Sequence, residues 1–116
     1  MTSPFTCGLD AALSVMGGKW KPLILFHLGH GTLRYGELRR AIGKVSDKVL
    51  IQQLKQLQAD RIVNRIDYGE IPPKVDYSLT DFGNSLAQAL AHLCEWGTDH
   101  TDELAAIVER RDRASL

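Results

Sequence analysis

The chain has 116 residues, 44% of them hydrophobic and 24% charged, with a formal net charge of zero and two cysteines. That is enough chain for one domain with a real core, and too few cysteines for a disulfide framework. No apolar run approaches the roughly 20 residues that span a bilayer, and the opening MTSPFTCGLD has neither a basic nor an apolar leader segment, so the cytoplasm is the expected compartment.

The neutral balance hides a strong asymmetry. Residues 17–68 carry ten Lys/Arg against four Asp/Glu, whereas residues 69–116 carry four against nine. A basic surplus confined to one segment points to an anionic partner for that segment.

In chain order, residues 1–8 read as an extended arm. Leu9, Ala12, Leu13 and Met16 then form the apolar stripe of a first short helix, ended by Gly17-Gly18. A second helix is expected over Lys19–Leu28, with Pro22 fixing its first turn. It is apolar on nearly all sides (Trp20, Leu23, Ile24, Phe26, Leu28), which predicts a central helix. Thr32–Tyr35 reads as an extended link. Gly36–Ile42 is a third helix, with Leu38 and Ile42 inward and Arg39 and Arg40 outward.

The next stretch, Val45–Ile62, organises the rest. Leu50, Leu54 and Leu57 recur at helical spacing as a buried stripe widened by Val49, and Ser46 stands where an N-cap is needed. A second face, Lys48, Ile51, Gln52 and Lys55, is cationic and amide-rich and has no acid. Lysine neutralises phosphate and donates to guanine. Glutamine can pair with the N6 and N7 positions of adenine. Such a face also suits an ordinary solvated helix, and its neighbours favour DNA. The preceding helix and glycine-containing turn make a helix-turn-helix. Ile62–Tyr68 and Lys74–Leu79 alternate as strands about the loop Gly69–Pro73, which predicts a β-hairpin wing. Thr80 caps a long last segment striped by Phe82, Leu86, Leu90 and Leu93. Trp96-Gly97 is expected to end or bend it, a second helix with Leu104, Ile107 and Val108 to follow, and the tail to fray.

The fold class expected is therefore mainly α with a small β-hairpin, a winged helix-turn-helix. At this point the chain resembles the HxlR family of bacterial transcriptional regulators, from about Cys7 to His100. The residues that match are Cys7; Gly17-Gly18-Lys19-Trp20; Leu33 to Arg40; Ser46, Lys48, Leu50, Leu54 and Leu57; Ile71 to Thr80 except Asp76; and Cys94-Glu95-Trp96-Gly97. Two positions depart from the family pattern. Gly8 stands where proline is usual, and Ile51 where a small hydroxyl residue is common; an apolar side chain there favours a thymine methyl.

The resemblance implies a homodimeric DNA-binding regulator in which residues 1–116 form a single unit. The recognition helix would span about 46–60, the wing about 62–79, and the C-terminal dimerisation helices about 80–113. Ser46, Lys48, Ile51, Gln52 and Lys55 are the major-groove candidates. Arg34, Arg39 and Arg40 are phosphate candidates that could equally pair with surface acids, and Lys74 is the wing candidate. A symmetric dimer requires an inverted-repeat operator.

Three readings stay open for the mode of action. One is an operator-binding repressor switched by an oxidant or electrophile at a thiol. Another is the same scaffold switched by a small-molecule effector near the dimer interface. The third is a winged-helix protein-interaction module that does not bind DNA. Cys7, two residues ahead of the first helix, feels the positive end of its dipole, while Asp10 in the same turn opposes a thiolate. In the resemblance, some relatives sense disulfide stress, electrophiles or hypochlorite through the matching cysteine. The other reading of Cys7 is a structural residue packing under the dimer helices; Cys94, in an apolar helix, reads as core, and a bridge would need Cys7 of a second copy or Cys94 of a second copy.

His27 with His30, and His92 with Cys94, lack the second ligand pair that a metal site needs. No catalytic constellation, phosphate loop or cofactor motif is visible, so an enzyme is not expected.

Overall fold

A computed structural model describes residues 3–115. The elements are α1 (Gly8–Met16), α2 (Trp20–Leu28), β1 (Leu33–Arg34), α3 (Tyr35–Ile42), α4 (Asp47–Ala59), β2 (Val63–Asp67), β3 (Val75–Leu79), α5 (Asp81–Asp99) and α6 (Thr101–Ala114). The three strands form one antiparallel sheet in the order β1-β3-β2.

The core lies where α2, α3 and α4 meet the sheet. Ile24, Leu25 and Leu28 come from α2, Leu38 from α3, and Leu50, Leu54 and Leu57 from α4; Ile62, Val63 and Tyr77 close it from the strand side. Burying each such aliphatic side chain stabilises the fold by about 1.5–3 kcal/mol before ordering costs. Phe26 departs from the expected all-round burial of α2. It is 37% exposed, and the rings of His27 and His30 stand edge-on to it at 5.0 and 4.9 Å between centroids.

Both ends of α4 are set by local chemistry. The Ser46 hydroxyl accepts from the Val49 N–H, the expected N-cap. At the other end Arg61 takes a left-handed conformation (φ 60°). Its N–H donates to the Gln58 carbonyl, and that of Ile62 donates to Leu57. This is the Schellman pattern, and it brings the fully buried Ile62 onto Leu57.

The strand pairing also explains the wing. Val63, Arg65 and Asp67 stand opposite Leu79, Tyr77 and Val75. Val63 and Tyr77 are buried, but Arg65 and Asp67 are exposed, so the sheet's inner face runs out past the helices.

The expected link at Thr32–Tyr35 is instead partly a strand. Leu33 and Arg34 pair with Tyr77 and Asp76 on the free edge of β3. Two residues are too few for alternation to show. The second departure is at the C-terminus. Trp96 and Gly97 do not end α5, which runs on to Asp99 and breaks at His100. There the imidazole bonds the Trp96 carbonyl and stacks on its ring, 4.7 Å between centroids. The expected fraying is also absent through Ala114, since α6 stays helical to that point; Leu116 lies outside the described residues.

α5 is pinned at its start. The Thr80 hydroxyl accepts from the Gly83 N–H and donates to the Arg61 carbonyl. Gly83 lies so close to Ile62 that an added Cβ would sit 2.1 Å from the Ile62 carbonyl oxygen. Beyond that joint α5 keeps Leu86 and Leu90 half-buried against the core, but most of the surface of α5 and α6 is exposed. Gly83 is the one buried residue that α5 supplies, and α6 supplies none. The radius of gyration is 16.4 Å, against about 13 Å for a compact chain of this length.

Candidate nucleic-acid interface

On α4 the leucine stripe faces the core, and Lys48, Ile51, Gln52 and Lys55 lie on the exposed side, together with the capping Ser46. Ile51 is 40% exposed, an apolar side chain left in water beside two lysines. Lys55 and Ile51 also line a trough of about 480 Å³ between α4 and the sheet, with Tyr35, Gln58, Arg65 and Tyr77. Arg65 was not among the residues singled out by sequence. The alternation that put it on the Val63 face was the available signal. Its guanidinium is 3.8 Å from the Asp67 carboxylate, a loose exposed pair.

The arginines behave differently from one another. Arg34 precedes α3 and its backbone N–H donates to the Glu37 carboxylate at 2.9 Å, while its side chain is exposed. Arg40 is exposed on α3. Arg39 is paired: its Nε lies 3.0 Å from Asp47 Oδ1 at the start of α4. The Tyr35 hydroxyl donates to the same oxygen. Partial burial, then the bond to Asp47, push the Tyr35 pKa up to about 12. At the wing, Lys74 Nζ sits 4.5 Å over the ring of Tyr68, whose hydroxyl donates to Asp76. That bond raises the Tyr68 pKa.

Cys7 occupies the N-cap position of α1 in extended backbone and is exposed. It makes no full capping hydrogen bond, but the Asp10 and Leu9 N–H groups favour its thiolate and lower its pKa. The Asp10 carboxylate in the same turn accepts from the backbone and hydroxyl of Thr6. Cys94 is not in the core of the single chain. It is exposed and lines a groove of about 380 Å³ between α2 and α5, beside Phe26, His30, Ala87 and Ala91. Among the described residues no group of three or more His, Cys, Asp or Glu gathers as a metal site, and no helix is long and apolar enough to cross a membrane.

Helix, turn, exposed cationic helix and hairpin, braced by a third strand, define a winged helix-turn-helix protein. The chain belongs to the HxlR-like helix-turn-helix family, whose pattern matches residues 15–105. It is 45% identical over 100 residues to the uncharacterised HTH-type transcriptional regulator YtcD of Bacillus subtilis (strain 168), covering 86% of this chain and 79% of that one. Among solved structures it is similar to the redox regulator HypR in its reduced form, with TM-score 0.79 and 39% identity over 86% of this chain and 99% of that one. It is also similar to the reduced form of the transcriptional regulator YodB from B. subtilis, with TM-score 0.68 and 33% identity over 84% and 92% of the two chains. The protein is thus a transcriptional regulator with a helix-turn-helix domain, a DNA-binding role and not a catalytic one.

Proposed function

We propose that the protein is a cytoplasmic homodimeric repressor that binds an inverted-repeat operator in double-stranded DNA, with residues 1–116 acting as one unit. The observation that weighs most is α4. One face is sealed in the core by Leu50, Leu54 and Leu57, so the other must face outward, and that face offers Lys48, Ile51, Gln52 and Lys55. Ser46, at its N-terminus, joins this set. Gln52 reads a base edge, Ile51 meets a thymine methyl, and the lysines meet phosphate or guanine. Arg34, Arg40 and the free Nη groups of Arg39 hold the backbone, and Lys74 meets the strand flanking the wing.

The dimer follows from what the single chain leaves uncovered: Leu9 and Leu13 on α1, Phe82, Leu93 and Trp96 on α5, and Val108 on α6. Cys7, exposed and biased toward thiolate, is the proposed oxidant or electrophile sensor, bridging to Cys7 or Cys94 of a second copy. The α2–α5 groove favours a second reading, in which a small-molecule effector sits beside the dimer interface.

The test is a salt titration of binding to the DNA upstream of the protein's own gene. Phosphate contacts give a steep fall of affinity with salt. Weak, salt-insensitive binding would favour a protein-interaction module instead.

A further inference from the structure

Asp47 poses a conflict. As the first residue of α4 it suits the positive end of the helix dipole. On a helix that approaches DNA end-first, the same carboxylate would meet phosphates and the acceptor edges of purines. The conflict is met from α3. Tyr35 and Arg39 are four residues apart, hence adjacent on one face of that helix, and both bond Asp47 Oδ1.

We propose that Tyr35 and Arg39 are positioning residues for DNA binding: together they hold the Asp47 carboxylate back against α3, neutralise it, and keep it out of the phosphate path. This rests on the DNA-binding reading above. The Asp47 and Arg39 side chains are 63% and 46% exposed, so in the free protein water screens the pair and it adds little to stability. Its effect falls on the complex, where the approaching duplex displaces that water. Arg39 thereby has two tasks, since Nε is engaged with Asp47 and its other nitrogens stay free for a phosphate.

The test is a double-mutant cycle with Tyr35→Phe, Asp47→Asn and the pair combined. Affinity is measured on a duplex enriched from random-sequence DNA by the wild-type protein, and folding is checked by thermal melts. Tyr35→Phe frees the carboxylate and should weaken binding by roughly threefold to tenfold, the range of one ordinary hydrogen bond in net terms. Asp47→Asn should bind as tightly as wild type or tighter, and Tyr35→Phe should lose its effect in that background. A merely structural clamp gives the opposite sign for Asp47→Asn, which would then weaken binding and overturn the proposal. So would equal affinity for all the variants. If the wild type enriches no duplex, the DNA-binding reading falls and this proposal with it. A wild type that binds while Tyr35→Phe matches it sinks the clamp alone. Should Tyr35→Phe fail to fold, Asp47→Asn decides alone by the sign of its effect.

Discussion

Two regions of this chain carry leucines at helical spacing, and they are covered to different degrees. On α4, Leu50, Leu54 and Leu57 are 0, 1 and 0% exposed. On α5, Leu86 and Leu90 of the corresponding stripe are half-buried against the core, while Phe82 and Leu93 are 59 and 63% exposed. The difference lies in what stands opposite. α4 meets α2 and the sheet within the same chain, whereas α5 packs on α2 along part of one side and leaves Phe82, Leu93 and Trp96 exposed. Periodicity shows which face of a helix is apolar. It does not show which chain covers that face.

Substitutions can break this contrast or sharpen it. The largest effect is expected at the joint between the two regions. Gly83→Ala forces a methyl into the Ile62 carbonyl and should cost about 4 kcal/mol, read as a collapse of the melting temperature. A near-normal melt would mean that α5 can slide on β2. Next comes a matched pair across the contrast. Leu54→Ala should cost about 3 kcal/mol at any protein concentration, because it opens a cavity within one chain. Trp96→Ala should leave that core intact yet weaken self-association by about 2 kcal/mol, seen by sedimentation as monomer at low concentration. If the Trp96 variant sediments as wild type does, the uncovered face is not the dimer face.

A smaller effect concerns α4 itself. Gln52→Ala should cost about 1.5 kcal/mol and relax base preference at one position of each half-site. Lys48→Ala should instead lower affinity for all sequences alike and flatten the salt slope. An unchanged ranking of operator variants would remove Gln52 from the reading set.

The smallest effect is a shift in pH. In a Cys94→Ser background, alkylation of Cys7 should reach half its maximal rate at a lower pH than a free cysteine does, because the thiolate is favoured. Diamide or a quinone should then release DNA from the wild type and leave Cys7→Ser bound. Equal behaviour of the two proteins would end the sensor reading.

The legible parts of the sequence were those governed by local chemistry. Ser46 and Thr80 cap the helices they precede, and the stripe on α4 is buried as its spacing requires. What escaped was decided over longer range. β1 is two residues long and exists only because β3 offers an edge. α5 runs through Trp96-Gly97 because a glycine inside a helix costs only about 1 kcal/mol. Cys94 looked like core because its helix is apolar, but it stands exposed at the groove between α2 and α5. Arg39 read equally as a phosphate contact or as the partner of a surface acid, and that the acid is Asp47 needed the angle between α3 and α4. Within the site, the exposed face of α4 could be anticipated from residue types, whereas Arg65 and Tyr35 needed the structure.

The central claim is that α4 reads DNA from a two-fold dimer. Hydroxyl-radical footprinting tests it most directly, on a duplex selected from random sequence by the wild-type protein. The expected result is two protected half-sites of inverted sequence, their centres about 34–36 Å apart, one turn of the duplex. A single unsymmetrical footprint, or protection without a selected sequence, would contradict it.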